Sequence, residues 1–230
     1  MKDIKHIFFD LDHTLWDFDK NSSEALSELF FELALNEEIE NLTEFIAIYQ
    51  RINAKYWNLY NHGKVTKEQV RNDRFIETLN HFEVRNAVER SKILGTRYIE
   101  TSPHKTHLFP DAHETLTYLQ SKYKLHIITN GFSEVQHIKL HNTKLKDYFD
   151  MILCTEEVGV NKPHPLVFET ALAKTKAKSF ESIMIGDNPE TDILGAKNCG
   201  FSTVLFNPNK GKTNVESIEI QGLKELTILL

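Results

Sequence analysis

The chain has little cysteine and no long apolar run, and each absence excludes a class of protein. Its two cysteines, Cys154 and Cys199, do not form a C-x-x-C pair, so we expect neither a disulfide framework nor a cysteine-based zinc site. No stretch approaches the roughly 20 apolar residues of a membrane span, and the apolar run at residues 7–9 is too short for a signal peptide. We therefore predict a cytoplasmic protein with no membrane partner.

An excess of positive charge is missing as well. The 27 lysines and arginines are outnumbered by 33 aspartates and glutamates, which gives a formal net charge of -6. A basic surface for a nucleic acid polymer is therefore not expected. The 11 histidines include no i, i+4 pair with a glutamate partner, which argues against a histidine-based zinc site. The length of 230 residues suits one large domain or a core domain with an insertion.

Short apolar runs separated by helical patterns make up the two ends of the chain. Such runs are typical of strands that are buried on both faces of a parallel sheet. Alternation of strand and helix implies right-handed crossovers and an α/β fold with a Rossmann-like parallel sheet. The predicted strands lie at residues 6–9, 125–128, 151–153, 182–185 and 203–206.

Residues 21–99 differ, because their apolar residues recur at helical spacing and show no strand pattern. We interpret this stretch as an insertion in the α/β core. The predicted core domain comprises residues 1–16 and 103–230, and the predicted all-helical cap domain comprises residues 17–102.

Two spacings are typical of capping boxes, in which a side chain at the start of a helix pairs with one three residues later. Thr66 and Gln69 predict a helix start inside the insertion. Asp111 and Glu114 predict a second start after the chain returns to the core.

Polar side chains follow three of the predicted strands. Asp10 and Asp12 come after the first strand, Thr129 ends the second, and Asp187 follows the fourth. Lys162 stands in a loop before a predicted helix. Since the carboxyl ends of parallel strands form the ligand-binding edge of an open sheet, we expect these side chains to meet there.

These residue types suit phosphoryl transfer. One carboxylate can attack phosphorus to give an acyl phosphate, and a second can protonate the leaving oxygen and then activate water. Mg²⁺ prefers carboxylate and phosphate oxygens, and Asp187 adds a carboxylate. Lys162 and Thr129 offer a positive charge and a neutral donor for phosphoryl oxygens. These residue types are therefore compatible with magnesium-dependent phosphoryl transfer.

Four ordered strings resemble the motifs of the haloacid dehalogenase-like (HAD) hydrolase superfamily, and the helical insertion resembles that superfamily's helical cap. The strings are DLDHTL at 10–15, TNG at 129–131, KP at 162–163 and GDNPETD at 186–192. The second aspartate resembles the phosphatases and phosphomutases of the superfamily, since its dehalogenases lack that residue. Superfamily membership implies the fold and the catalytic strategy, and its name is not carried over as an activity.

The resemblance implies a role for each matching residue. Asp10 would be the nucleophile and a metal ligand, and Asp12 would be the acid/base, with its backbone carbonyl on the metal. Thr129 and Lys162 would hold the phosphoryl group. The remaining implied roles are completion of the Mg²⁺ site by Asp187, positioning of Lys162 or of a water on the metal by Asp192, and substrate binding or orientation by Asn130.

A narrower resemblance connects the chain to the pyrimidine 5'-nucleotidases of the superfamily. It is carried by the strings FFDLDHTLW at 8–16, ITNGF at 128–132 and EEVGVNKP at 156–163. His13 departs from the small or acidic residue expected at its position. If the substrate is a nucleotide, Trp16 and Phe18 are the aromatic residues we expect to stack on its base, although aromatic residues in helical regions are more often part of the core.

Alternatives to the nucleotidase remain open. They are a phosphatase for phosphoglycolate or a sugar phosphate, a phosphomutase that returns the phosphoryl group to a sugar, and a non-catalytic binding module. We expect a monomer or a homodimer, and the residues do not decide between these states.

Overall fold

A computed structural model describes residues 3–212 and 214–230, which divide into two compact units. One unit runs to Asp17 and resumes at Thr106, and the other is Phe18–Lys105. The first predicted domain boundary lies one residue before the observed division, and the second lies three residues before it. The assignment of the two units as a catalytic core and a cap domain stays a prediction.

The first unit is built on a parallel sheet with strand order β3-β2-β1-β4-β5-β6. This order is that of a Rossmann-like sheet, and the predicted fold class is confirmed. The sequence prediction ended at the fifth strand and missed the sixth, which has three residues, two of them exposed. The strands are β1 His6–Phe9, β2 Lys124–Thr129, β3 Met151–Cys154, β4 Ser182–Gly186, β5 Ser202–Phe206 and β6 Ile218–Ile220.

Helices cover this sheet, so its central strands are apolar on both faces. All four residues of β1 are buried, and Phe8 belongs to a core cluster with Ile128 of β2 and Met184 of β4. The helices of this unit are α5 Ala112–Gln120, α6 Ser133–Asn142, α7 Pro165–Thr175, a π-helix Pro189–Leu194, α8 Gly195–Asn198 and α9 Leu226–Leu229. Short 3₁₀ segments are Lys146–Tyr148, Thr155–Glu157, Ser179–Glu181 and Leu223–Glu225.

The capping box predicted at the start of α5 is wrong. Asp111 has a left-handed backbone with φ of 62°, and its side chain makes no capping hydrogen bond. An N-cap residue ordinarily has an extended backbone that aims its side chain at the N–H groups of the first turn. The left-handed backbone at Asp111 is incompatible with that geometry, although its spacing from Glu114 fits the motif.

The second unit is helical, as predicted. Its helices are α1 Phe18–Glu32, α2 Leu42–Asn61, α3 Lys67–His81 and α4 Ala87–Thr101, with short 3₁₀ segments at Leu35–Glu37 and Ser102–His104. Apolar residues from all four helices form one core, including Leu29, Phe45, Phe75 and Leu94. The capping box of Thr66 and Gln69 at the start of α3 is confirmed. Among the described residues no helix is long and apolar enough to span a bilayer.

Strand register sets the position of the candidate site. Phe9 at the end of β1 is level with Ile127 of β2 and with Ile185 of β4. The next residue, Asp10, continues the pairing, because its backbone N–H donates to the carbonyl of Ile185 at 2.9 Å. The sheet continues from β1 to β2 and β3 on one side and to β4, β5 and β6 on the other, so Asp10 emerges at the switch point where such sheets bind ligands.

Candidate active site

Asp10 is buried at the carboxyl end of β1 and has two hydrogen-bond donors. Its side chain accepts from Lys162 Nζ through Oδ1 at 2.8 Å, and Thr14 Oγ1 lies 3.4 Å from Oδ2. The same Thr14 hydroxyl lies 3.4 Å from Asp187 Oδ1. Thr14 therefore links the carboxylates that follow β1 and β4, two neighbouring strands of the sheet.

Lys162 is the buried cation of this cluster. Its ammonium also donates to Asp192 Oδ1 at 2.6 Å and to the carbonyl of Ile128 at 2.9 Å. The other oxygen of Asp192 accepts from the backbone N–H of Asn188 at 3.1 Å. A Cβ at Gly186 would lie 2.2 Å from Asp192 Oδ2, so the glycine that ends β4 is what allows this carboxylate to approach.

The Asn130 side chain holds the backbone of Lys162. Its Oδ1 accepts from the Lys162 N–H at 2.9 Å, and its Nδ2 donates to the Lys162 carbonyl at 3.1 Å. The sequence analysis expected Asn130 to bind or orient substrate, and these two bonds instead tie β2 to the loop that carries Lys162. A substrate contact by Asn130 stays a prediction.

Charge in this cluster is unbalanced. Burial raises the pKa of Asp10 well above its usual range, and repulsion from Asp192 and Asp187 adds to the effect of burial. Burial and repulsion from Asp192 likewise raise the pKa of Asp187. Burial opposes the charge of Lys162, but the carboxylates of Asp10 and Asp192 outweigh it and raise the pKa of the lysine. Thus one ammonium contacts two carboxylates, while among the described residues the Thr14 hydroxyl is the one side-chain hydrogen-bond partner of Asp187.

This donor set fits a hard divalent cation. One carboxylate oxygen from each of Asp10, Asp187 and Asp192 lies within 4.8 Å of the others, and Mg²⁺ is bound through such oxygens. The raised pKa values of Asp10 and Asp187 show that these carboxylates lack sufficient positive charge nearby, which a bound cation would supply. The predicted metal set was Asp10, Asp12 and Asp187; the carboxylate group seen here contains Asp192 and not the side chain of Asp12.

Asp12 has a different environment from Asp10. Gln136 Nε2 donates to its Oδ2 at 2.9 Å, and Lys139 Nζ donates to its Oδ1 at 2.5 Å. Its side chain is 22% exposed. Two aspartates of the same short motif therefore have separate cations, Lys162 for Asp10 and Lys139 for Asp12.

Sequence reasoning missed Gln136 and Lys139. Both lie on α6 and are buried, although polar residues on a surface helix are ordinarily solvated. A signal was present in the helical spacing, since Phe132, Gln136, Leu140 and Thr143 are all buried along with Lys139. Polar residues within the apolar stripe of a helix require partners, and this requirement points to a polar site beneath α6.

The two aromatic candidates lie in different units. Trp16 belongs to the sheet unit and is fully buried, and the Lys139 ammonium lies 4.0 Å from its ring centroid. This contact gives Trp16 a packing role beside Asp12. Phe18 is half-buried and is the first residue of α1 in the helical unit. Stacking of either ring on a substrate base stays a prediction.

Comparison with protein families gives a match over most of the chain. The model of the family described as haloacid dehalogenase-like hydrolase matches residues 7–206. The pyrimidine 5'-nucleotidase YjjG of Escherichia coli is 35% identical over 205 residues, which cover 87% of this chain and 85% of that protein. The pyrimidine 5'-nucleotidase PynA of Streptococcus pneumoniae is 30% identical, with coverage of 89% and 84%.

A solved structure matches over nearly the whole length. It is the HAD-hydrolase YfnB from Bacillus subtilis bound to magnesium, with a TM-score of 0.89, 27% identity and coverage of 98% of each chain. The similarity extends across both units of the present chain.

Proposed function

Since the chain belongs to the haloacid dehalogenase-like hydrolases, we propose that it is a magnesium-dependent phosphatase that forms a phosphoaspartate on Asp10. The observation that carries the proposal is the different environments of two aspartates two residues apart. Asp10 contacts Lys162 within the carboxylate cluster, whereas Asp12 lies outside that cluster on donors from α6. One carboxylate is thus suited to attack, and the other to proton transfer.

In the first step Asp10 attacks the phosphorus atom of a phosphate monoester. A bond forms between an Asp10 oxygen and phosphorus, and the bond from phosphorus to the leaving oxygen breaks. Asp12, protonated in this step, donates its proton to that oxygen, so the alcohol leaves neutral. Lys162 and Thr129 donate to the non-bridging phosphoryl oxygens, where the charge of the transition state is spread.

In the second step Asp12 acts as the base. It takes a proton from a water molecule, whose oxygen attacks phosphorus and releases Asp10 as a carboxylate. Asp10, Asp187 and Asp192 would hold Mg²⁺ between them, with the backbone carbonyl of Asp12 as a further ligand. When bound, the ion neutralises carboxylate and phosphoryl charge.

The substrate class we propose is a pyrimidine nucleoside 5'-monophosphate. Support comes from the motif strings of the narrower resemblance and from two relatives named pyrimidine 5'-nucleotidase. We assign substrate selection to the helical unit Phe18–Lys105 and propose that its half-buried first residue, Phe18, contributes aromatic surface for the base, whereas the fully buried Trp16 has no exposed ring face. Base stacking tolerates many bases, so this ring favours nucleotides over sugar phosphates more than one pyrimidine over another.

Phosphate release from a panel of monoesters tests the proposal. The panel contains pyrimidine and purine nucleoside monophosphates, sugar phosphates and phosphoglycolate, each assayed with Mg²⁺ and with chelator. We expect Mg²⁺-dependent turnover with preference for uridine or cytidine 5'-monophosphate, and its loss in Asp10→Asn. Asp147→Asn, an exposed aspartate on the same unit, is the matched control and should keep full activity.

Each departure from this result has a distinct meaning. Full turnover by Asp10→Asn would refute the phosphoaspartate. Preference for phosphoglycolate or a sugar phosphate would keep the core chemistry and refute the nucleotide assignment. Dependence on a bisphosphate activator would indicate a phosphomutase, and an inactive pure protein would favour a binding module.

A further inference from the structure

Two buried side chains of α6 contact the acid/base Asp12 without having a part in the proposed steps. Gln136 and Lys139 are three residues apart and so lie on one face of the helix. Gln136 Nε2 donates to Asp12 Oδ2 at 2.9 Å and Lys139 Nζ to Oδ1 at 2.5 Å. Each carboxylate oxygen has its own donor, and two points of attachment fix the orientation of the carboxylate.

We propose that Gln136 and Lys139 are positioning residues for phosphoryl transfer. Together they orient the Asp12 carboxylate, and Gln136 also directs the hydroxyl proton of Thr129 to the phosphoryl group. The proposal rests on the phosphatase function above and deepens it, because it names residues that prepare the acid/base and the phosphate donor.

The hydroxyl of Thr129 shows how Gln136 acts on a second group. A threonine hydroxyl has one proton to donate and two lone pairs. Thr129 Oγ1 accepts from Gln136 Nε2 at 2.6 Å and from the Gly131 N–H at 3.1 Å, so both lone pairs are occupied. Within residues 3–212 and 214–230 no acceptor takes its proton. A phosphoryl oxygen is the kind of acceptor that completes this arrangement.

The amide of Gln136 is held in one orientation. Its Nε2 donates to both Asp12 and Thr129, while its Oε1 is buried and has no hydrogen-bond partner in the described part of the chain. Exchanging the two amide atoms would bring Oε1 against the Asp12 carboxylate, so that two acceptors would face each other. The observed orientation leaves Oε1 buried and unpaired, which is rare, and it directs one N–H to Asp12 and the other to Thr129.

Lys139 is also fixed in place. Its side chain is only 5% exposed, and its ammonium lies between the Asp12 carboxylate and the ring of Trp16, 4.0 Å from the centroid. A desolvated ammonium over an indole ring is stabilised by the ring's negative face. These contacts hold the lysine rigidly, so it can fix Asp12 in turn.

The test compares two leaving groups in near-isosteric variants, Gln136→Met and Lys139→Met. Uridine 5'-monophosphate, or the preferred alkyl phosphate of the panel, releases a poor leaving group that needs the Asp12 proton. The p-nitrophenolate of p-nitrophenyl phosphate leaves without one. Since kcat/KM reports events up to phosphoenzyme formation, its ratio between the two substrates isolates the acid's contribution.

For Lys139→Met we expect kcat/KM to fall about 10- to 100-fold with the alkyl phosphate and less than about threefold with p-nitrophenyl phosphate. Gln136→Met should lower kcat/KM for both substrates, because it also releases the Thr129 hydroxyl. Lys139→Arg keeps the charge and should restore part of the loss. Controls are His137→Met and Lys146→Met, which replace exposed residues on and near α6.

Equal losses with both substrates in Lys139→Met would indicate a merely structural lysine and overturn its positioning role. Wild-type kinetics in Gln136→Met would overturn the role of the glutamine. Melting temperatures of the variants and the recovery in Lys139→Arg separate these outcomes from misfolding. Failure of the proposed function is a different result, namely full turnover by Asp10→Asn, which refutes the positioning role with it.

Discussion

Gly131→Ala is the substitution that most directly tests how the site is built. The glycine follows Thr129 and Asn130 in the second motif, and a Cβ there would lie 2.2 Å from Gln136 Nε2 and 2.4 Å from its Cδ. These distances are far below van der Waals contact, so the Gln136 side chain must leave its position. The backbone of Gly131 is not among the positive-φ glycines, and alanine therefore adds no strain of its own.

The energetic consequence follows from the bonds that Gln136 would lose. Gln136 Nε2 donates to the Asp12 carboxylate at 2.9 Å and to the Thr129 hydroxyl at 2.6 Å. A hydrogen bond to a charged group contributes about 1.5–3 kcal/mol and a neutral one about 1 kcal/mol. Alanine recovers about 0.4–1 kcal/mol by restricting the unfolded chain. We expect a net loss of about 1.5–3.5 kcal/mol in unfolding free energy and a fall in kcat/KM like that of Gln136→Met.

A double-mutant cycle measures whether the clash with Gln136 is the cause. Urea unfolding and kcat/KM are determined for wild type, Gly131→Ala, Gln136→Ala and the double variant. If the Cβ acts only by displacing Gln136, Gly131→Ala should cost almost nothing in the Gln136→Ala background. Gly222→Ala is the control, because its Cβ would meet its nearest neighbour, Glu225 Oε1, at an ordinary 3.9 Å.

Two results would refute this reasoning. A Gly131→Ala protein with wild-type stability and kinetics would mean that Gln136 does not occupy the observed position. An undiminished effect in the Gln136→Ala background would mean that the glycine acts through its backbone.

Two further predictions concern stability. Burial lowers the pKa of His126 to about 3, so between pH 6.5 and 3 the unfolded chain binds a proton that the folded chain excludes. The unfolding free energy should therefore fall with decreasing pH, by at most about 1.4 kcal/mol per pH unit. Urea unfolding at pH 7.5 and 5.5 should show a smaller fall for His126→Phe than for wild type. An equal fall in both proteins would mean that other groups cause the effect. In the helical unit, Arg74 is buried and its Nη1 donates to Asn53 Oδ1 at 2.7 Å. Asn53→Ala should lower the unfolding free energy by about 1–3 kcal/mol, because it leaves a charged donor unpaired. Asn58→Ala, at an exposed position, is the control, and equal stabilities of the two variants would contradict the prediction.

Local patterns were sufficient to predict the fold class. The run at β1 is apolar on both faces because helices cover a parallel sheet, and it ends directly at Asp10. The family resemblance drawn from the four motifs is confirmed by the family match, and the prediction of a phosphoric monoester hydrolase agrees with relatives named nucleotidases and phosphatases. Order and spacing carry this information without any knowledge of side-chain packing.

The parts that were not predicted depend on contacts distant in sequence. Gln136 and Lys139 lie 124 and 127 residues from Asp12, and the helical spacing of α6 indicates that they need polar partners without indicating which residue supplies them. Asp192 joins the carboxylate cluster because Gly186 has no Cβ to exclude its side chain, and this contact depends on the tertiary structure. The error at Asp111 has the same origin, since a spacing does not reveal a left-handed backbone.

The arrangement of charge supports the different tasks that we propose for two aspartates of one motif. Beyond β1 the chain turns, and the His13 N–H donates to the carbonyl of Trp16 at 2.9 Å while His13 takes a left-handed φ of 64°. With this turn between them, the Asp10 carboxylate contacts Lys162 in a cluster short of positive charge, and the Asp12 carboxylate contacts Lys139 outside that cluster. A cation bound at the cluster would therefore act mainly on Asp10, while α6 governs Asp12. Lys139→Met should then leave the affinity for Mg²⁺ nearly unchanged while it lowers the turnover of alkyl phosphates. A titration of wild type and Lys139→Met with Mg²⁺ decides whether the cluster around Asp10 is independent of the contacts between α6 and Asp12.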